Sequence, residues 1–316
     1  MHRLLIAACL IAGCGDNQLG DGVPLAGTHD LVIVAHQDDD LLFMQPDLIE
    51  AVQAGTGITN VYVTAGNGKK GTQAANRRYR GLMEAYGAAA GDQDWTCGWI
   101  ELHHRAAQHC RLEAENVSLV FLGYPDGGKY GELPNSLLKL WQGDISTATT
   151  VADRTAVYDR DALIDVVAEI AHQTQPAVVR TLDLTAGHGR DHLDHLIVGA
   201  LTTLALARTD ADPELIAYRG YDMEVEPQNK IPAIYAAASK ILGYYEACAA
   251  SGCEVPCGQS CANIDTSHAI WLGRRYAIGV RRSAHGRLRT PTGCLAGATI
   301  TACEGAPEWV LEHGHL

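Results

Sequence analysis

A chain of 316 residues fits one large domain or two small ones, because a single hydrophobic core stops growing near roughly 250–300 residues. With 47% hydrophobic and 19% charged residues it has the composition of a globular protein and not of a disordered one. The formal net charge is −13, and no run of Lys and Arg offers the basic face that a nucleic-acid binder needs, so nucleic acid and anionic lipid are excluded as partners on charge.

Residues 1–14 read as an export signal. His2 and Arg3 precede an apolar run from Leu4 to Leu10, and then comes Ile11-Ala12-Gly13-Cys14. That sequence resembles the bacterial lipobox, in which small residues precede a Cys that takes up lipid. The apolar run is too short to span a bilayer, which takes about 20 apolar residues. The expectation is an exported protein, a bacterial cell-envelope lipoprotein or a secreted one, that meets the membrane only through a lipid anchor at Cys14. Residues 15–28, rich in Gly, Asp and Asn, read as a flexible tether.

Export changes the meaning of the cysteines. There are ten; with Cys9 in the signal and Cys14 lipidated, an even number remains, which in an oxidising compartment points to as many as four disulfides. Cys97 lies near Cys110, and Cys294 near Cys303. Cys248, Cys253, Cys257 and Cys261 form a tight cluster whose spacings do not match the two-residue knuckles of a zinc site. Connectivity is not legible from spacing.

Residues 31–35 form a continuous apolar run with β-branched residues at its centre, which predicts a strand buried on both faces. A helix follows over 46–54, with Pro46 in its first turn and Gly55 at its end. A strand is expected over 58–64, a loop over 65–72, and a helix over 74–90 closed by Gly91. The third strand is 117–122, followed by a Gly-rich loop over 123–128. An amphipathic helix over 161–173 leads to a strand at 177–182, a loop at 185–190 and a helix over 192–207. A strand over 215–221 and a helix over 231–247 complete the alternation.

Strands alternating with helices predict an α/β fold, a Rossmann-like layered sandwich with a mainly parallel sheet. The domain reading is a catalytic domain over 29–247. A Cys-rich C-terminal part over 248–316, stapled by disulfides, packs on it.

Ligands of open α/β sheets bind beyond the carboxyl ends of the strands. There the first strand runs into His36-Gln37-Asp38-Asp39-Asp40, and the strand ending near Leu182 leads to His188, Asp191, His192, Asp194 and His195. Each cluster alone is also what a solvated turn looks like. Together they offer imidazoles and carboxylates at one edge, the donor set of a catalytic zinc site with positions left for water. His192 and His195 are spaced to share a helix face, and Asp191 is placed to cap that helix.

The two motifs His36-Gln37-Asp38-Asp39 and His192-Leu193-Asp194-His195 resemble those of the PIG-L/LmbE-like family of zinc-dependent N-acetylglucosaminyl deacetylases. The third Asp, Asp40, and the Leu41-Leu42-Phe43-Met44 tail look like its secreted bacterial branch. The resemblance implies one zinc ion per chain, exchangeable for other divalent ions, held by His36, Asp39 and His195. It implies Asp38 as general base and His192 as the stabiliser of the oxyanion. It makes Asp194 the carboxylate that orients His192 or His195. Asp126 and Arg78 are implied as substrate contacts, with an N-acetylated sugar or glycan as substrate. Two residues depart from the family pattern: Gln37 replaces a Pro, and Tyr79 replaces a Glu after Arg78. They leave a second reading, a glycan-binding lipoprotein on a degenerate deacetylase scaffold. A metal phosphoesterase, which would draw on Asp40, Asp191 and His188 for a second ion, is a third.

Overall fold

The structure is a computed structural model that describes residues 20–184, 191–249, 253–282, 287–289, 294–296 and 299–300. The export signal with Cys14, the loop residue His188, and Cys303 of the Cys294 and Cys303 pair lie outside the described residues. Among those residues no helix is long and apolar enough to cross a membrane.

Strand β1 (Asp30–Val34) is buried at every position, as its apolar run requires. Helix α1 (Asp39–Phe43), helix α2 (Asp47–Ala54), strand β2 (Ile58–Thr64) and the long helix α3 (Thr72–Ala90) follow. Gly55 and Gly91 end α2 and α3 in the left-handed conformation, at φ 66° and 79°.

Strands β3 (Thr96–Leu102) and β4 (Arg105–Leu112) then form a hairpin that the sequence reading did not include. Its turn residues are His103 and His104, at φ 44° and 61°. Such a two-residue turn is ordinarily marked by Asn-Gly, so a His-His pair hides it. Cys97 and Cys110 are register partners across the hairpin and are joined by a disulfide.

Strand β5 (Val117–Tyr124) precedes helix α4 (Leu137–Gln142) and a small ribbon of β6 (Ala148–Thr149) and β7 (Val157–Tyr158). Helix α5 (Arg160–Thr174) is capped by Asp159, which accepts from Ala162 N. After β8 (Val178–Leu182) comes α6 (Leu193–Ala207), buried over nearly its whole length because its Leu, Ile, Val and Ala residues cover all sides. Strand β9 (Glu214–Tyr218), a 3-10 turn (Tyr221–Val225), α7 (Pro232–Ala249) and α8 (Thr266–Leu272) lead to β10 (Ala277–Arg282). Strands β11 (Arg287–Arg289), β12 (Cys294–Ala296) and β13 (Thr299–Ile300) follow.

One sheet runs in the order β13-β12-β11-β10-β9-β8-β1-β2-β5-β4-β3. Its middle, β9-β8-β1-β2-β5, is parallel, and both flanks are antiparallel. The chain builds outward from β1 through β2 to β5, then returns to add β8 and β9 on the other side. The carboxyl ends of β1 and β8 therefore border the crevice at the switch point.

Two expected boundaries differ. From Gly20 onward the stretch read as a tether runs along β3: Trp99 N donates to Gly20 O at 2.9 Å and Gly22 N to Trp99 O at 2.7 Å. At the other end, β10 pairs antiparallel with β9, so the Cys-rich part extends the sheet. Its four clustered cysteines form the bridges Cys248–Cys257 and Cys253–Cys261, which displaces the zinc reading of that cluster.

Candidate metal centre

Beyond β1 the chain turns tightly. His36 N donates to Asp39 Oδ2 at 2.6 Å, and Leu42 N to Asp38 O at 2.9 Å begins α1. Beyond β8 the chain re-enters at Asp191. The sequence places Asp191 as the cap of the next helix, but His192 is the cap: its own Nδ1 accepts Asp194 N at 3.1 Å. The first turn of α6 then sets the His192 and His195 rings 5.3 Å apart, on the face toward β1.

Three side chains converge. His36 Nδ1 is 3.3 Å from His195 Nε2, His195 Nε2 is 3.0 Å from Asp39 Oδ1, and His36 Nδ1 is 3.4 Å from Asp39 Oδ2. Ligands about 2.0–2.1 Å from a tetrahedral ion lie roughly 3.3 Å from one another, so the spacing fits a zinc-sized cation. Asp39 Oδ1 is buried and has no hydrogen-bond partner, as a ligand oxygen kept for an ion would be. These residues fit the metal that the sequence motifs imply.

A second group of possible ligands shares His36 and adds Asp126, His192 and Asp194. Its carboxylates are already engaged by the backbone. Gly127 N donates to Asp194 Oδ2 at 2.9 Å, and Gly128 N and Gly68 N donate to Asp126 at 2.8 and 3.3 Å. Asp39 is engaged as well, through Oδ2, and Asp194 Oδ1 has no hydrogen-bond partner; the sets differ in burial, since His36, Asp39 and His195 are all buried whereas Asp126 is only partly so.

Each ligand ring is backed by a carboxylate. Asp194, expected to orient His192 or His195, has its Oδ2 3.9 Å from His192 Nδ1. Asp194 Oδ2 faces His36 Nε2 at 3.5 Å, and the residue behind His195 is Asp191, 2.9 Å from Nδ1. The sequence carried a signal for this, since Asp191 and His195 are four apart. Asp191 Oδ1 also accepts His192 N and Tyr221 N, at 2.8 and 3.0 Å. Gly220 must be Gly, because a Cβ there would lie 2.3 Å from Asp191 Oδ2.

Charge follows from this packing. Burial works against a protonated His195, but Asp191 and Asp39 override it and push its pKa up to about 10. Burial likewise opposes protonation of His36, and Asp39 with Asp194 raises it well above the ordinary value. Burial disfavours ionised Asp39, yet His195 and His36 hold it well below the usual carboxylate range. The cluster is built to balance positive charge at its centre.

His192 differs. Burial and the neighbouring His36 bring its pKa down to about 4. With Nδ1 accepting a backbone N–H, its ring is neutral and offers an N–H at Nε2. His192, which the resemblance makes the stabiliser of the oxyanion, would act as a neutral donor.

Arg78, expected as a substrate contact, is partly buried and reaches the first motif. It donates from NH2 to Asp38 Oδ1 at 2.8 Å and from Nε to Gln37 Oε1 at 3.0 Å. Gln37 in turn donates from Nε2 to Thr64 O at 2.5 Å. The residue that replaces the family's Pro thus ties β2 to the Arg78–Asp38 pair. Tyr79 stacks on Phe121 at 4.0 Å and is buried in the core, so it leaves the cleft undisturbed. Asp40 is also core: it accepts from Tyr62 and Tyr86 hydroxyls at 2.6 and 2.7 Å, and burial raises its pKa to about 7.

The family model described as PIG-L, GlcNAc-PI de-N-acetylase, matches residues 31–206, over half the chain. This chain belongs to the PIG-L family. The PIG-L match spans both motifs, from β1 to the end of α6, and the family's chemistry is hydrolysis of an amide by de-N-acetylation. None of the curated proteins matches it. Among solved structures the chain is similar to a conserved protein from Thermus thermophilus, at 20% identity and TM-score 0.36, over 69% of this chain and 79% of that one. It is similar to the 4-carboxy-2-hydroxymuconate hydratase GalB from Pseudomonas putida, at 16% identity and TM-score 0.40, over 72% and 80%. It is also similar to a deacetylase of teicoplanin biosynthesis in complex with teicoplanin, at 16% identity and TM-score 0.40, over 69% and 86%.

Proposed function

We propose that this PIG-L family member is a zinc-dependent deacetylase that hydrolyses the acetamide of an N-acetylated amino sugar, an N-acetylglucosamine-type glycoside or glycan, to acetate and a free amine. The observation that carries the reading is the convergence of His36 Nδ1, Asp39 and His195 Nε2 within 3.0–3.4 Å at the crevice, with Asp38 next in the chain. The N-terminal pattern supports placing it in the cell envelope, anchored at Cys14 or secreted.

His36, Asp39 and His195 would hold the ion, with Asp194 and Asp191 fixing the two rings. A bound zinc ion supplies Lewis-acid activation of water and of the amide carbonyl. Asp38 takes the proton from the attacking water, held in place by the Arg78 guanidinium. His192, held by its Nδ1 bond to Asp194 N, presents a neutral Nε2–H to the oxygen on which negative charge develops. The proton that Asp38 gains is the one the leaving nitrogen needs. Water and amide thus become carboxylate and amine without another reactant. Asp126, held by Gly68 N and Gly128 N at the rim, is placed to accept from a sugar hydroxyl.

The test is Asp38→Asn in zinc-loaded protein. Acetate release should fall by about a hundredfold or more with zinc content unchanged. A near wild-type rate would remove Asp38 from this role.

A further inference from the structure

The motif residues all lie within the span that the family model covers. A second titratable pair lies outside it, Glu246 on α7 and His268 on α8. Glu246 is buried, and both its oxygens face Asp265 N, at 3.2 and 3.0 Å. Its Oε1 is 2.6 Å from His268 Nδ1. One ring nitrogen is thereby committed. No residue among those described partners the other, Nε2, and the side chain stays 22% exposed.

The place of this ring ties it to the metal centre. Helix α8 packs against α1, which begins at Asp39, and against the 3-10 turn. From α8, Trp271 lies 4.6 Å from Tyr221 ring to ring and donates Nε1–H to Tyr221 O at 3.1 Å. The Tyr221 ring is 5.0 Å from His195 and 6.5 Å from His192. One aromatic layer, Tyr221, lies between Trp271 of α8 and the rings of His195 and His192. Burial opposes a charged His268, but its bond to Glu246 and the nearby Asp38 and Asp265 carboxylates raise its pKa.

Stability alone does not account for the pair. Asp265 already caps α8 by accepting Ser267 N at 2.8 Å, and Glu246 is already satisfied by Asp265 N. A carboxylate fixing one nitrogen of an imidazole, with the other left for a ligand, is how proteins aim a histidine.

We propose that His268, fixed by its Nδ1 contact with Glu246, is a substrate-binding residue of the same cleft and forms a hydrogen bond through Nε2 with a hydroxyl of the sugar that carries the amide. This rests on the deacetylase reading of the metal centre. It also gives the Cys-rich part a function. The bridges Cys248–Cys257 and Cys253–Cys261 staple the connection from α7, and Cys261 N bonds to Gly243 O at 3.1 Å, so the segment leading to α8 is held on the helix that carries Glu246. The family-matched part supplies the hydrolytic chemistry, and the stapled part supplies the grip on the sugar.

The experiment compares wild type, His268→Ala, His268→Gln and Glu246→Gln as zinc-loaded proteins. It uses acetate release from a panel of N-acetylated sugars that includes N-acetylglucosamine and its glycosides, calorimetric binding of the same sugars, zinc content and thermal unfolding. Loss of that hydrogen bond should raise KM and Kd in His268→Ala by about threefold to tenfold, with kcat within about threefold and zinc content unchanged. His268→Gln keeps a donor and should recover part of the loss, and it stands in for the Ala variant if that variant does not fold. Glu246→Gln should fall between. An unchanged KM and Kd in folded, zinc-loaded His268→Ala or His268→Gln overturns the proposal while the deacetylase stands. If wild type binds a sugar of the panel but releases acetate from none, the deacetylase reading fails, and a binding loss in His268→Ala still supports His268. If wild type neither binds nor cleaves any sugar of the panel, both fall.

Discussion

Asp191 Oδ1 lies 2.9 Å from Nδ1 of His195, on the side of the ring away from Asp39. The contact fixes the ring so that Nε2 faces the ion seat. Asp191→Asn keeps the shape and removes the charge. It should weaken zinc binding by about tenfold to a hundredfold, as loss of a carboxylate behind a ligand histidine commonly does. Competition with a fluorescent chelator measures this. An unchanged affinity would show that the ring holds its place without Asp191.

Gln37 bridges Thr64 O and Arg78 Nε, and Arg78 reaches Asp38. Gln37→Ala frees the guanidinium to swing. It should lower kcat by about tenfold with KM little changed, since the water-activating group loses its orientation. Arg78→Lys should not substitute for Arg78, because a lysine cannot serve Asp38 and Gln37 from one planar group. Steady-state kinetics on acetate release checks both.

Lys230 sits away from this chemistry. Its Nζ is buried without a hydrogen-bond partner, and burial, aided by Arg275, brings its pKa down to about 7. Above about pH 10.5 the side chain is neutral in folded and unfolded chains alike and costs nothing. As pH falls from there towards 7, the unfolded chain binds a proton that the native side chain resists, so stability drops across that window. Lys230→Met should remove this slope and raise stability at pH 7 by about 1 kcal/mol or more. Denaturant unfolding of both proteins at pH 7 and pH 10 tests it; the difference between them should shrink at the higher pH.

The Cys97–Cys110 bridge joins register partners of the β3–β4 hairpin at the edge of the sheet. Replacing both residues by Ser should cost about 2–4 kcal/mol, chiefly by loosening the unfolded chain's constraint, and should leave KM unchanged. Urea unfolding measures the first and kinetics the second.

The parallel centre of the fold was legible because it rests on long apolar runs. β1 and β2 lie within a residue of where the pattern puts them, and Gly55 and Gly91 end their helices as predicted. The β3–β4 hairpin was not, because His103-His104 carries none of the usual turn chemistry. The centre was legible for similar reasons. A strand end and a helix start bring His36, Asp39, His192 and His195 to one place by local geometry. What short-range spacing does not show is contact across the fold. Asp194 turning to His36, Arg78 closing on Asp38, and Trp271 of α8 packing on Tyr221 all depend on packing between elements far apart in the chain.

The most direct test of the metal-dependent deacetylase is acetate release from a panel of N-acetylated sugars by the purified zinc-loaded protein, before and after chelation. The account predicts release from at least one sugar, its loss on chelation, its return with zinc, and its absence in His195→Ala. Release that persists after complete removal of metal, or no release from any sugar by the zinc-loaded protein, would contradict it.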